Sequence, residues 1–92
     1  MKYTKYLFNN SIICENNDDG IVVYFPAASS SYVLNSTASF IFKLLQQNVA
    51  ISEIVLLFQD KYNLNFQFSY SEVKAFITYL HNERILSTNK AL

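Results

Sequence analysis

The chain has 92 residues, of which 51% are hydrophobic, so it can form one small domain with one core and is too apolar for a disordered chain. Seven Lys and Arg balance seven Asp and Glu. Nucleic-acid binding and polybasic membrane anchoring normally need a basic excess, so we expect neither partner. No apolar run has the length of a signal peptide or a transmembrane helix. The single cysteine, Cys14, cannot form an internal disulfide, and we expect a cytoplasmic protein in which Cys14 is buried.

The first third of the sequence predicts three strands. β-Branched and aromatic residues place them at residues 11–15, 21–25 and 31–34. The segment between the first two strands ends in Asp-Gly, and Gly20, the only glycine of the chain, suits the positive φ of a hairpin turn. Pro26 ends the second strand because it has no N–H group to donate.

The rest of the sequence predicts three helices. They are expected at residues 37–47, 51–62 and 70–82. Asn35 or Ser36 is expected to cap the first helix, since either side chain can accept a hydrogen bond from the first turn. Ser69 and Glu72 have the Ser-x-x-Glu spacing of a capping box, which predicts the start of the third helix.

Each predicted helix carries an apolar stripe at three- and four-residue spacing, which is typical of one buried face. The stripes are Ala38, Ile41, Leu44 and Leu45, then Ile51, Ile54, Leu57 and Phe58, then Val73, Phe76, Ile77 and Leu80. Ile85 and Leu86 follow as a short extended piece. The order of elements indicates an α+β fold like a winged helix-turn-helix, with a three-stranded antiparallel sheet followed by three helices. We interpret residues 1–92 as a single domain and expect residues 1–10 and 87–92 to be loosely ordered.

Catalysis finds little support in the sequence. The only histidine, His81, lies near the end of a predicted helix, where an imidazole usually interacts with the helix dipole. No Cys and His pair has the spacing of a metal site, and one glycine cannot build a phosphate-binding loop. We therefore expect no enzyme, no catalytic residue, no metal site and no cofactor.

The junction between the third strand and the first helix carries a family resemblance. Leu-Asn-Ser-Thr-Ala at residues 34–38, with the apolar residues after it, resembles this junction in PqqD-like proteins. Val-Ala-Ile-Ser-Glu-Ile at residues 49–54 resembles the start of that family's second helix, and the third stripe with Ile85 and Leu86 resembles its third helix and apolar end. The similarity covers residues 21–86. PqqD-like domains usually place glycine after each helix, where this sequence has Asn48, Asn63 and Arg84. Only the two asparagines are expected to suit a left-handed helix end.

The resemblance implies a recognition element for ribosomally synthesised and post-translationally modified peptides (RiPPs). Such a domain binds the leader segment of a precursor peptide and presents it to a separate modifying enzyme. In the family, the leader docks as an extra strand on the third strand of the sheet, against the third helix. The peptide-binding residues implied here are Ser31, Tyr32, Val33, Leu34, Tyr70, Lys74, Ile77, His81 and Arg84. Ile77 would contact an apolar leader residue, and Lys74 and Arg84 would meet leader carboxylates.

Two other functions stay open from the sequence. A winged-helix DNA-binding protein would gather basic residues on one helix, but the second and third predicted helices hold a single lysine each. A non-catalytic scaffold or dimerisation domain would use some of the seven Tyr and eight Phe side chains for an interface, as in a homodimer.

Overall fold

The computed structural model describes residues 6–9, 11–17, 20–26 and 29–88. In this part of the chain the elements are β1 (Tyr6–Phe8), β2 (Ile13–Asn17), β3 (Gly20–Phe25), β4 (Ser30–Leu34), α1 (Ser36–Gln46), α2 (Ile51–Tyr62), α3 (Phe66–Asn82) and β5 (Leu86–Thr88). The predicted α+β fold is confirmed, because a three-stranded antiparallel sheet precedes three helices. Within the described residues, no helix is both long and apolar enough to cross a bilayer.

The three-stranded sheet has the order β2-β3-β4, and both pairs are antiparallel. Its inner face carries Ile21, Val23 and Leu34, which are buried because alternate strand residues point to opposite faces. β3 ends directly before Pro26, as predicted. β2 begins two residues later than predicted, and Cys14 is exposed on it, so the prediction of a buried thiol is wrong.

The predicted hairpin between β2 and β3 is confirmed, but Gly20 is the first residue of β3 and not a turn residue. It pairs with Asn17, so the loop between the strands is residues 18 and 19, which lie outside the described residues. Its φ is 149°, and a Cβ atom at this position would collide with the carbonyl oxygen of Leu34. Glycine is therefore needed for the close approach of β4 and for a backbone conformation that other residues rarely adopt.

A hydroxyl of α1 joins β3 to β4 at the same place. The N–H of Ile21 donates to Ser39 Oγ at 3.0 Å, and the Ser39 hydroxyl donates to the carbonyl oxygen of Leu34 at 3.1 Å. Ser39 is buried, so this bridge fixes the start of α1 against the sheet. It also shows that the N–H of Ile21 points toward β4.

The first and last described strands form a second, two-stranded sheet, in which β1 pairs antiparallel with β5. The Tyr6 hydroxyl donates to the carbonyl oxygen of Val49 at 2.8 Å. The rings of Phe8 and Phe42 meet edge-on, with centroids 5.3 Å apart. Residues 6–8 and 87–88 are therefore paired where loose ends were expected, and β5 accounts for the predicted extended piece. Residues 1–5, 10 and 89–92 lie outside the described residues.

Asparagine side chains cap the first and third helices. Asn35 Oδ1 accepts a hydrogen bond from the N–H of Ala38 at 2.9 Å, which confirms one of the two predicted caps. Asn65 Oδ1 accepts from the N–H of Phe68 at 2.8 Å, so α3 begins one turn before the predicted capping box. Ser69, the predicted cap, is buried inside the helix, and its hydroxyl has no hydrogen-bond partner among the described residues.

The segment after each helix turns through a left-handed residue. Asn48 and Asn63 have φ values of 59° and 54°, as expected. Arg84 has a φ of 62°, so the expectation that it would not fit this conformation is wrong. A left-handed non-glycine residue costs roughly 1–2 kcal/mol. Here the turn delivers the buried Ile85, whose N–H donates to the carbonyl oxygen of Leu80 at 3.0 Å, and this offsets the cost.

The core lies between the inner face of the sheet and the three helices. In α2 the buried side chains are Ile54, Val55 and Phe58, whereas Leu57 is 39% exposed. The prediction that Leu57 lies on the buried face is wrong, because the buried face of α2 contains Val55 instead. α3 contributes Val73, Ile77 and Leu80 to the core, and Phe76 is half-buried.

Candidate functional site

β4 forms an open edge of the three-stranded sheet. β3 pairs with one side of it, and no described strand pairs with the other. Because the N–H of Ile21 points toward β4 and directions alternate along an antiparallel ladder, the N–H and C=O groups of Ser31 and Val33 point away from β3. The Val33 side chain is 76% exposed. This edge therefore offers unpaired backbone donors and acceptors to an extended segment.

One side of α3 lies against β4. The Tyr32 hydroxyl donates to Glu83 Oε1 at 2.7 Å. The Tyr32 ring meets the Tyr79 ring edge-on, with centroids 6.1 Å apart, and Tyr79 stacks with Phe76 at 6.5 Å. We call Phe76, Tyr79 and Glu83 the β4-facing flank of α3. It is aromatic and ends in a carboxylate.

A cavity of about 280 Å³ adjoins this flank near the start of α1. It is lined by Asn35, Thr37, Ala38, Ile41, Phe58, Glu72, Ala75 and Phe76. Because Phe76 belongs to both the cavity and the aromatic contacts, the two features are neighbours. A peptide on the β4 edge would therefore have aromatic rings and a recess of mixed lining beside it.

Glu83 also affects the acidity of the two tyrosines. The hydrogen bond to Glu83 raises the pKa of the Tyr32 phenol, and burial and the charge of Glu83 act in the same direction. Burial raises the pKa of Tyr79, again with a contribution from the Glu83 charge. Both phenols therefore stay protonated at neutral pH and can donate hydrogen bonds.

The opposite side of α3 faces the start of α2 across a cavity of about 230 Å³. The cavity is lined by Ile51, Tyr70, Lys74, Ile77, Thr78 and His81. Lys74 Nζ lies 5.6 Å from the centre of the Tyr70 ring. We call Tyr70, Lys74, Thr78 and His81 the α2-facing flank. Residues of a helix are about 100° apart, so Lys74 and Tyr79 lie on opposite sides of the buried stripe that contains Ile77.

The nine predicted site residues thus occupy three places. Ser31, Tyr32, Val33 and Leu34 form β4, where Leu34 is buried. Tyr70, Lys74, Ile77 and His81 do share one cavity, but Tyr79 and Glu83 are the helix residues that meet Tyr32 of β4. Arg84 lines a third cavity of about 330 Å³, together with Phe8 of β1, and His81 lines this cavity as well. The peptide-binding role of these nine residues stays a prediction.

Sequence reasoning missed Tyr79 and Glu83. Helical spacing places a row of partly polar residues on each side of the buried stripe of α3, and the two rows have the same spacing. Tyr79 and Glu83 are four residues apart, as are Tyr70 and Lys74. The spacing alone does not indicate which row meets the strand, because that depends on how α3 packs on the sheet.

The described residues contain no group of three or more His, Cys, Asp or Glu side chains that could hold a metal ion. The family described as Coenzyme PQQ synthesis protein D (PqqD) matches residues 20–86. The chain belongs to the PqqD family. The match runs from the start of β3 to the start of β5, so it contains β4 and all three helices of this PqqD-family protein. The family resemblance inferred from the strand-to-helix junction is confirmed.

Two solved structures share the fold of this PqqD-family chain. A lasso peptide synthetase B1 complexed with the leader peptide superposes with a TM-score of 0.84 at 17% identity, over 90% of this chain and 98% of that one. TbiB1 in complex with the TbiA(beta) leader peptide gives 0.81 at 20% identity, over 87% of this chain and 93% of that one. At these identities the likeness establishes the fold. A search of the curated proteins finds no significant match.

Proposed function

We propose that this PqqD-family protein binds the leader segment of a ribosomally made precursor peptide and presents it to a separate modifying enzyme. The observation that carries the proposal is the open edge of β4 beside the aromatic flank of α3. The descriptions of the two solved structures with this fold, each a complex with a leader peptide, support it.

Strand addition would supply the hydrogen bonds between the leader backbone and this protein. An extended leader beside β4 would exchange hydrogen bonds with the outward N–H and C=O groups of Ser31 and Val33. These contacts read no side chains, so they suit a leader whose sequence is only partly fixed. They also require the bound segment to be extended, which excludes a helical leader at this edge.

Side-chain selectivity would come from the inner side of the same groove. Every second residue of an added strand points to one face of the sheet, and on the inner face it would meet the β4-facing flank. Phe76 and Tyr79 offer apolar surface there, and Tyr32 and Tyr79 add phenol groups. We therefore include Phe76, Tyr79 and Glu83 in the proposed site together with the β4 residues.

The proposed role is non-catalytic, and the reaction would belong to the partner enzyme. A leader reaches this protein as part of a ribosomal product, so we place the encounter in the cytoplasm. Nucleic acid and membrane have no part in the proposal.

Fluorescence anisotropy would test the proposal. The leader half of the short precursor encoded next to this gene would be labelled and titrated with the full chain, with a DNA duplex as the control ligand. We expect saturable leader binding in the micromolar range or tighter, and no binding of the duplex. Leader binding should survive Val33→Ala, which keeps the backbone N–H, and be lost with Val33→Pro, which removes it.

Two results would contradict the proposal. A flat leader curve together with duplex binding that weakens as salt rises would favour the winged-helix DNA-binding alternative. If the leader binds equally to Val33→Pro and to the unmodified protein, the peptide does not pair with β4. Flat curves for both ligands would favour the scaffold or dimerisation domain, and a measurement of mass against concentration would follow.

A further inference from the structure

Glu83 stands where the stability of α3 would favour a different residue. It is the C-cap of α3, and the carbonyl groups at a helix C-terminus already carry partial negative charge. A cation is stabilising at this end of a helix, whereas a carboxylate adds charge of the same sign. Residues that break a local rule of stability are commonly found at functional sites.

The hydrogen bond from Tyr32 does not require that charge. The Tyr32 hydroxyl donates to one oxygen of Glu83, and the amide oxygen of a glutamine would accept the same bond. The bond uses one of the two carboxylate oxygens, Oε1. The contact between β4 and α3 therefore explains why residue 83 has a hydrogen-bond acceptor, but it does not explain why that acceptor carries a negative charge.

The lysine and arginine side chains of the described residues lie over other aromatic rings or on other parts of the surface than the β4-facing flank. Lys74 lies over Tyr70 on the α2-facing flank, and Lys61 lies over the rings of Phe40 and Tyr62. Arg84 lines the cavity beside β1, and Lys43 is exposed on α1. Glu83, which is half-buried, thus stands at the edge of an aromatic surface, where a ligand could bring a cation to its carboxylate.

The geometry points to a leader that carries a lysine or arginine side chain, which lies against the rings of Tyr32 and Tyr79 and ends at the carboxylate of Glu83. An ion pair and contact with aromatic faces act together here, since both attract a cation. The inference rests on the proposed function and deepens it, because it names the kind of leader that β4 selects.

The groove also sets where the leader's apolar contact would lie. Phe76 borders the cavity of about 280 Å³ and is seven residues before Glu83 in α3. Seven residues of helix span roughly 10 Å, which an extended peptide covers in about three residues. Side chains on one face of a strand are an even number apart, so the apolar residue should lie two or four positions from the cation. This charge pattern is the reverse of the leader carboxylates expected from Lys74 and Arg84.

A selection from random peptides would test the inference without knowledge of the natural precursor. Dodecapeptides displayed on phage would be selected on the full chain, and those that bind Val33→Ala but not Val33→Pro would be kept as β4-dependent ligands. We expect these peptides to share a lysine or arginine with an apolar residue two or four positions away. Each would then be titrated with its cation replaced by methionine, on the unmodified protein and on Glu83→Gln.

The expected result is a loss of about threefold to tenfold when the cation is removed on the unmodified protein, and a clearly smaller loss on Glu83→Gln, where only the contact with the rings remains. Glu83→Gln keeps the acceptor for Tyr32 and removes a like charge from the helix C-terminus, so its unfolding midpoint should stay the same or rise slightly. An equal loss on both proteins, or β4-dependent peptides without a shared cation, would overturn the inference and leave the proposed function standing. If selection yields no β4-dependent peptide, the proposed function fails and the inference fails with it.

Discussion

The two flanks of α3 are built from similar residue types but present opposite charges. The β4-facing flank has aromatic side chains and the carboxylate of Glu83, and it lies beside an open strand edge. The α2-facing flank has Tyr70, Lys74 and His81 around a cavity that Ile51 and Ile77 also line. The zero net charge of the chain therefore conceals a local separation of charge across one helix. Total charge is a poor guide to what a small domain binds.

The comparison also separates two kinds of binding surface. A cavity between helices offers side chains alone, whereas the β4-facing flank offers side chains beside unpaired backbone groups. Only the second combination suits an extended peptide, since strand addition needs both. For this reason we place the leader at the β4-facing flank, and the variants below test whether the two flanks differ as proposed.

The largest effect, on the free energy of unfolding, is expected at the buried residue that lies between the two flanks. Ile77 is 7% exposed and lies in the buried stripe between them. Ile77→Asp would bury a carboxylate without a partner and should lower the free energy of unfolding by about 3–5 kcal/mol or more, enough to unfold much of the protein. Urea denaturation followed by circular dichroism would measure it. Ile77→Val, the control, should cost about 0.5–1.5 kcal/mol. A folded Ile77→Asp protein would show that Ile77 belongs to a groove and not to the core.

The next effect concerns the strand edge itself. Val33→Pro removes an outward N–H of β4 and should weaken leader binding tenfold or more, because a strand on this edge loses a donor and meets the proline ring. Its unfolding midpoint should change little, since the ladder to β3 does not use that N–H. Val33→Ala is the matched control, and the same loss of affinity in both variants would point to the side chain instead of the edge.

A pair of tyrosines distinguishes the flanks directly. Tyr79 and Tyr70 are 40% and 44% exposed, so each can lose its ring at comparable cost to the fold. Tyr79→Ala should reduce leader affinity by about 2 kcal/mol, the size typical of an aromatic anchor in a binding site. Tyr70→Ala should leave affinity unchanged. Isothermal titration with the same leader would measure both, and the reverse outcome would move the site to the α2-facing flank.

The smallest effect is expected from the cation of the α2-facing flank. Lys74→Gln removes an exposed charge and its contact with the Tyr70 ring, which should lower the free energy of unfolding by less than about 1 kcal/mol. Leader affinity should change less than twofold at low salt. A larger loss of affinity would support the original prediction that Lys74 meets a leader carboxylate.

Local signals in the sequence predicted much of the fold. The bounds of α2 and the Asn35 cap follow from apolar spacing and from one side chain that accepts a hydrogen bond. The predicted cap at Ser69 is wrong because Asn65, one turn earlier, is an equally good cap, and the aromatic residues between them hide the helical pattern. The neighbours of Gly20 in the sequence suggest a turn residue. Glycine is required there because Leu34, fourteen positions away in the sequence, leaves no room for a Cβ atom.

Only the strand part of the candidate site could be predicted from the sequence, because the helix part depends on tertiary packing. The β4 edge follows from the strand pattern and the family resemblance. The helix residues beside it depend on the rotation of α3 against the sheet, and helical spacing describes both flanks equally well. Tyr79 and Glu83 therefore became visible only through their contacts with Tyr32.

The pairing of β1 with β5 has a consequence for how this domain can be engineered. Tyr6 and Thr88 are register partners, so the points where the chain enters and leaves the described fold are neighbours. A circular permutant that connects these points through a short linker and opens the chain in another loop should keep the same fold. A cargo domain fused directly before Tyr6 or directly after Thr88 would likewise start from the same corner of the described fold, and moving the fusion from one point to the other would scarcely displace the cargo.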